Sequence, residues 1–93
     1  MNVNQYKNFV ASLGCILCGE SADLHHPRFA CGMGMRSSDW LVIPLCKFHH
    51  QDGAYGQAIH NGQQEFEANH GTEQALLAQT IKQVFNHSLT LPF

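Results

Sequence analysis

Three short segments rich in cysteine and histidine decide how this chain folds: Cys-Ile-Leu-Cys at residues 15–18, Leu-His-His at residues 24–26, and Cys-Lys-Phe-His-His at residues 46–50. The first contains a C-x2-C pair and the last a C-x2-H pair, which are the spacings of zinc knuckles. A structural zinc takes four cysteine or histidine ligands in a tetrahedron. The sequence therefore predicts one structural Zn2+ bound by the following side chains: Cys15, Cys18, Cys46 and His49.

Two alternatives to this ligand set remain open. Cys31 could replace His49 as the fourth ligand, although it lacks a partner at knuckle spacing and lies among glycines. Alternatively, Cys15 and Cys18 could form a redox pair, with Cys46 a buried thiol at a strand end. A redox C-x-x-C pair opens a helix in a βαβ setting, and the sequence has no such pattern. We therefore favour zinc.

Length and composition are those of one small domain, residues 1–93, to which a structural metal would add useful stability. The net charge is −2 with only five Lys or Arg, which by itself argues against a nucleic-acid protein. Bound divalent ions would add positive charge locally. No apolar run is long enough for a membrane helix, and residues 1–5 lack the basic charge of a signal peptide. We expect a cytoplasmic chain with no membrane partner, whose cysteines are ligands or free thiols.

The pattern of apolar residues predicts a small α+β domain with two strands between flanking helices. An N-terminal helix should end before Gly14, and Thr72 should cap a C-terminal helix that extends to about residue 86. A loop rich in glycine and serine separates the two strands. The predicted helices, besides the C-terminal one, lie at about 4–13, 47–52 and 58–69, and the predicted strands at 22–26 and 40–45.

The remaining histidines predict a second site, because a zinc knuckle does not require them. His70 and His87 fit surface or satisfied core positions. His25 and His26 are adjacent at a strand end, where one could bind a metal while the other faces a substrate. One zinc ion bound by both the C-x2-C pair and the C-x2-H pair would also bring His26, His50 and His60 towards one another.

The order strand, His-His, loop, strand, Pro-Leu-Cys-x-x-His-His and helix resembles the HNH, or ββα-metal (His-Me finger), nuclease motif. His-His-Pro-Arg at 25–28, Gly-Met-Gly-Met-Arg at 32–36 and Ile-Pro-Leu-Cys at 43–46 resemble one phage-associated branch more closely, the RecA-dependent recombination-enhancement nucleases. The resemblance covers about residues 15–77. It implies a zinc-stapled ββα-metal finger with flanking N- and C-terminal helices.

The resemblance also implies roles for individual histidines. His26 matches the general base, and His25 and His50 match ligands of one catalytic divalent ion, which could be Mg2+, Mn2+, Ni2+ or Zn2+. His60 is a candidate for the last ligand, which in the family usually follows the first by one helical turn. Here His60 lies ten positions after His50, with two glycines between them. Either this segment is an insertion that restores the geometry, or His60 is not a ligand.

The middle residue of the HNH motif is usually an Asn that orients the base, and this sequence has none between His26 and Cys46. Ser38 or Asp39 occupies the approximate place. Asp39 could accept a hydrogen bond from His26 and so fix its tautomer, or it could be a turn residue. Two arginines near the histidine pair are candidates for binding substrate phosphate, or are solvated loop charges: Arg28 and Arg36.

Two functions follow from these patterns. The first is a metal-dependent endonuclease that hydrolyses DNA phosphodiester bonds with little sequence preference, phage- or prophage-encoded in a bacterial host cell. The resemblance implies a RecA filament as a partner that supplies the DNA. The alternative is a non-catalytic zinc-knuckle module that binds nucleic acid or protein. A knuckle requires neither His26 nor His60, whereas the low basic charge favours the module or a nuclease with a partner.

Overall fold

Two antiparallel strands, three α-helices and one π-helical turn make up the regular structure of the described chain, in a computed structural model that describes residues 2–28 and 38–88. This architecture confirms the small α+β class. Cys31 and Arg36 lie outside the described residues, so the prediction for each stays untested. The elements, in chain order, are α1 (Val3–Ser12), β1 (Ala22–His25), β2 (Ile43–Cys46), a π-helical turn (Phe48–Asp52), α2 (Gln63–His70) and α3 (Glu73–Ser88).

The start of the fold is set by a capped helix and a glycine. Asn2 Oδ1 accepts a hydrogen bond from the Gln5 backbone N–H at 2.8 Å, and Gln5 Oε1 accepts from Asn2 N–H at 2.9 Å, which is a capping box. α1 is followed by Gly14, whose φ of +83° is strained for any residue with a side chain. A Cβ there would lie 2.7 Å from the Gly19 carbonyl oxygen. This turn, as predicted, ends the helix and leads directly into Cys15.

The two strands place the metal-binding candidates at opposite ends of one ribbon. Ala22 is paired with Cys46, and His25 is paired with Ile43. The backbone N–H of Ile16 donates to the Pro44 carbonyl at 2.9 Å, so the first knuckle is also attached to β2. One residue separates β2 from the π-helical turn, which contains His49 and His50.

The hydrophobic core lies between β2 and the C-terminal helices. All four residues of β2 are buried, so this strand is covered by the surrounding elements although the sheet has only two strands. Burial of these apolar side chains is the main source of stability besides any metal. The buried cluster consists of Ile43, Leu45, Ile59, Phe66, Leu76 and Leu77, with Cys15 and Cys46 at its margin.

Two predicted elements differ from the structure. Residues 40–42 do not belong to β2, because Trp40 lies in a turn, 46% exposed, with its ring 5.0 Å from that of Tyr6. α2 begins at Gln63 rather than near residue 58. Gly62 takes φ +84° against the ring of Tyr55, a conformation that interrupts a helix at this point. Among the described residues, no helix is long and apolar enough to span a membrane.

Candidate metal centres

The first centre, the Cys/His knuckle, consists of Cys15, Cys18, Cys46 and His49. Their ligand atoms all lie within 4.8 Å of one another. The Cys18 and Cys46 sulfurs are 3.6 Å apart. His49 Nδ1 lies 3.7 Å from the Cys15 sulfur and 3.2 Å from the Cys46 sulfur. A tetrahedral zinc with ordinary bond lengths has ligand–ligand distances of about 3.5–3.8 Å, so this donor set fits zinc.

The thiols of the knuckle influence each other's ionisation. Burial raises the pKa of the Cys15 thiol, but hydrogen bonds from nearby N–H groups, first that of Cys46, lower it overall. The Glu20 N–H lowers the pKa of Cys18, but burial and the neighbouring sulfurs outweigh it and raise that pKa to about 11. A divalent cation stabilises the thiolate form and would therefore lower the pKa of Cys18. The cluster therefore has the chemistry of a metal site.

The second centre, the histidine triad, consists of His25, His50 and His60, whose ligand nitrogens also lie within 4.8 Å of one another. Ring centroids are 5.3 Å apart for His25 and His50, and 5.2 Å apart for His25 and His60. The Nε2 atoms of His50 and His60 are 3.0 Å apart. Two imidazole nitrogens bound to one ion at ordinary distances lie about 3.0–3.4 Å apart, so this pair fits a shared ion.

The segment between the π-helical turn and α2 brings His60 to the triad. The Ile59 N–H donates to the His49 carbonyl at 2.8 Å, and the His60 N–H donates to the His50 carbonyl at 3.1 Å. Asn61 Nδ2 donates to the Gly53 carbonyl at 3.2 Å and closes the segment. The segment therefore places His60 beside His50, and the role of His60 as a metal ligand stays a prediction.

Two imidazoles of the triad, those of His50 and His60, have a lowered pKa, which favours the neutral form that metal binding requires. Burial lowers the pKa of His50 to about 4, with help from His60 and His25. Burial also lowers the pKa of His60, followed by the charges of His25 and Arg28. His50 Nδ1 is buried without a hydrogen-bond partner in the described part of the chain. Hydrogen bonds within the described part of the chain therefore satisfy only one of the two ring nitrogens of His50.

His26 and Asp39 form a separate pair beside the triad. His26 Nε2 and Asp39 Oδ1 are 2.8 Å apart, and both side chains are partly buried. A carboxylate can only accept, so the proton of this bond lies on Nε2 and the Nδ1 lone pair is left for another proton or ligand. This is the contact that the sequence predicted for Asp39, which also lies in a turn before β2.

Of the two arginines predicted to bind phosphate, only Arg28 lies within the described residues. Arg28 is exposed, and its charge is close enough to the triad to lower the pKa of His60. Its backbone N–H is bonded to Glu73 at 3.2 and 3.4 Å. Positive charge thus lies beside the triad, while binding of phosphate by Arg28 stays a prediction.

Sequence reasoning missed Glu73, the first residue of α3. It is buried, 3% exposed, and its Oε2 lies 2.5 Å from His25 Nε2. A glutamate directly after the N-cap Thr72 is typical of any helix start, and the 48 positions that separate it from His25 carry no local signal. No pattern in the sequence could have connected these two residues.

The other two histidines have structural environments, in line with their prediction. His70 Nε2 is 3.2 Å from Gln57 Oε1, and its ring packs against those of His49 and Phe66. His87 is exposed on α3, with its ring edge-on to Phe9.

Sequence similarity relates the chain to a protein family and to a bacterial relative. The family model described as "Protein of unknown function (DUF968)" matches residues 1–88. The "Uncharacterized protein YdfU" of Escherichia coli (strain K12) is 30% identical over 80 residues, which is 83% of this chain and 21% of that protein. The chain thus spans about a fifth of the length of that relative. No solved structure matches the chain significantly. Because the family model covers nearly the whole sequence, the chain belongs to the family described as Protein of unknown function (DUF968).

Proposed function

We propose that this chain is a metal-dependent endonuclease of the HNH (His-Me finger, ββα-metal) type, which hydrolyses DNA phosphodiester bonds. One observation carries the proposal: three imidazoles converge within ligand distance next to a histidine that a carboxylate orients. A zinc knuckle alone would need neither feature. The order β1, β2 and π-helical turn, with His25 in β1 and His50 in the turn, supports the proposal of a ββα-metal finger.

The triad suits a catalytic ion because it offers three protein ligands rather than four. Catalytic sites keep positions open for water or substrate, whereas structural sites are closed. When bound, a divalent ion would act as a Lewis acid on a phosphate oxygen and on the leaving oxygen. Imidazole ligands suit Zn2+, Ni2+ or Mn2+ more than a fully hydrated Mg2+, and the resemblance adds Mg2+ as an alternative. His25, His50 and His60 would hold the ion.

His26 is the general base in this proposal. Its Nδ1 would take the proton of the attacking water, and a histidine does this well near neutral pH. Asp39 accepts the hydrogen bond from Nε2–H, so in the neutral ring the lone pair lies on Nδ1. The same carboxylate would stabilise the imidazolium that forms as the water loses its proton. The hydrogen bond between His26 and Asp39 therefore suits the roles proposed for both residues.

The low net charge bears on how such a nuclease would bind DNA. With five Lys or Arg in the chain, phosphate contacts should be few and DNA affinity low. Little sequence preference is part of the proposed activity. Arg28 and Arg36 are the proposed phosphate contacts, and a RecA filament is the proposed partner that presents the DNA. We place the activity in the cytoplasm of a bacterial host, encoded by a phage or prophage.

Plasmid nicking tests the proposal. Zinc-loaded protein is assayed with Mg2+, Mn2+ and Ni2+, each with and without a RecA filament. His26→Ala should keep the fold and the zinc but lower the cleavage rate by about 10²-fold or more. His87→Ala is the matched control, since it removes an exposed histidine of α3. Equal cleavage by wild type and His26→Ala would reject the proposed base, and absence of cleavage under all conditions would reject the nuclease.

The same low charge favours a second candidate, a zinc-knuckle module that binds nucleic acid or protein without catalysis. It requires the Cys/His knuckle alone. The two candidates differ in cleavage, because a module would cleave no DNA and would bind its partner equally well after His25, His26 or His50 is replaced by alanine.

A further inference from the structure

We propose that Glu73 is a positioning residue that holds His25 in the tautomer needed to bind the divalent ion. The inference rests on the proposed function, because it concerns a ligand of the proposed catalytic ion. Glu73 and His25 are each only 3% exposed, and they meet at the junction between the end of β1 and the start of α3.

Three donors converge on the two oxygens of the Glu73 carboxylate. His25 Nε2 lies 2.5 Å from Oε2. The Arg28 backbone N–H lies 3.2 Å from Oε1 and 3.4 Å from Oε2, and Gln63 Nε2 lies 3.2 Å from Oε1. A buried carboxylate is costly unless donors of this kind surround it. The site is therefore built to keep the carboxylate against His25.

The contact decides which nitrogen of His25 can bind a metal. A carboxylate offers only acceptors, so the proton of this hydrogen bond lies on His25 Nε2. In a neutral imidazole the other nitrogen, Nδ1, then carries the lone pair. Nδ1 is the nitrogen left to join His50 and His60 around an ion. Metal-binding histidines commonly donate their second N–H to a carboxylate in this way.

Glu67 provides a matched control for Glu73. Gln63 Nε2 donates to Glu67 Oε1 at 3.1 Å as well as to Glu73, so both carboxylates hold the same amide. In the described part of the chain, Glu67 is not bonded to His25. Loss of either carboxylate disturbs Gln63, whereas only loss of Glu73 frees the His25 ring.

The experiment compares Glu73→Gln, Glu73→Ala and Glu67→Gln with wild type, all zinc-loaded. Co2+ binding is followed by visible absorption, in which a thiolate-to-cobalt band would reveal exchange into the knuckle. Long-range 1H–15N NMR spectra without Co2+ report the tautomer of His25. Glutamine preserves the volume of the Glu73 side chain but offers one oxygen to the donors of His25, Arg28 and Gln63. Glu73→Gln therefore tests the role of the carboxylate even if Glu73→Ala fails to fold.

We expect Glu73→Gln to populate both tautomers of His25 and to weaken Co2+ binding by about 10- to 100-fold, the usual effect of losing such a partner. Glu67→Gln should leave both measurements at the wild-type values. A Glu73→Gln variant that keeps the Nε2–H tautomer and the wild-type Co2+ affinity would overturn the inference.

His50→Ala separates failure of this inference from failure of the proposed site. If His50→Ala abolishes Co2+ binding while Glu73→Gln leaves it unchanged, the triad binds metal and only the role of Glu73 is wrong. If His50→Ala also leaves Co2+ binding unchanged, the triad is not the metal site and the role of Glu73 is overturned with it.

Discussion

The Cys/His knuckle and the histidine triad differ in the number and chemistry of their donors. The knuckle offers four candidate ligands, three of them thiols, from two segments that are distant in sequence. The triad has three imidazoles and no fourth protein ligand among the described residues. Closed sulfur-rich sites hold zinc for stability, and open imidazole sites leave room for substrate. Two clusters in one small domain can therefore have different tasks.

The two centres are joined by one short turn. His49 and His50 are consecutive residues of the π-helical turn, and successive side chains of a helical turn point in different directions. His49 consequently contributes to the knuckle while His50 contributes to the triad. The knuckle fixes the turn, so we expect loss of its metal to displace His50, whereas loss of an ion from the triad should leave the knuckle intact.

The largest effect should follow from opening the knuckle. Cys18→Ser, or removal of zinc with a chelator, should unfold the domain, because structural zinc contributes roughly 10–16 kcal/mol, comparable to the whole stability of a small domain. Thermal unfolding followed by circular dichroism, with zinc content measured in parallel, checks this. Cys31→Ser is the matched control and should retain the zinc. An unchanged melting curve for the metal-free protein would contradict a structural zinc.

The next effect concerns the buried member of the triad. His50→Ala should reduce cleavage to the level seen without added metal, because it removes one of three ligands. The same protein should retain one zinc per chain. Metal analysis and plasmid nicking on one preparation provide both results. Loss of zinc together with activity would mean that the two centres are not separable in the way proposed.

His60→Ala addresses the exposed member of the triad. Since His60 is exposed, its loss should not affect folding, yet cleavage should fall strongly because the insertion brings this ring to His50. Cleavage rates over a range of metal concentrations measure the effect. Full activity at every concentration would show that water or substrate, rather than His60, completes the site.

The smallest effect should come from Asp39→Asn, which keeps the shape of the side chain. An amide can hold His26 in either tautomer, so cleavage should fall about 10- to 100-fold, while zinc content and Co2+ affinity stay the same. The comparison of rate with metal affinity distinguishes orientation of the base from metal binding. A parallel loss of Co2+ affinity would instead assign Asp39 to the metal site.

The sequence predicted those parts of the molecule that depend on local spacing. The knuckle pairs, the glycine after α1 and the N-cap Thr72, whose Oγ1 accepts from the Ala75 N–H at 3.1 Å, each need only a few consecutive residues. Local propensity failed at Trp40, which lies in a turn and makes a tilted ring contact with Tyr6 instead of pairing in the strand.

The parts that the sequence did not predict depend on contacts between distant residues. The start of α2 was misplaced because Ile59 and His60 donate to carbonyls of the preceding turn instead of continuing a helix. Glu73 was missed because its partner His25 is brought to it only by the packing of α3 against β2. Neither contact leaves a periodic pattern for a sequence analysis to detect.

The most direct test of two distinct centres is anomalous diffraction from crystals of the zinc-loaded protein soaked in Mn2+. We predict a zinc peak among Cys15, Cys18, Cys46 and His49, and a separate manganese peak within about 2.5 Å of the nitrogens of His25, His50 and His60. A zinc peak in the knuckle with no manganese peak at the triad would contradict the second centre.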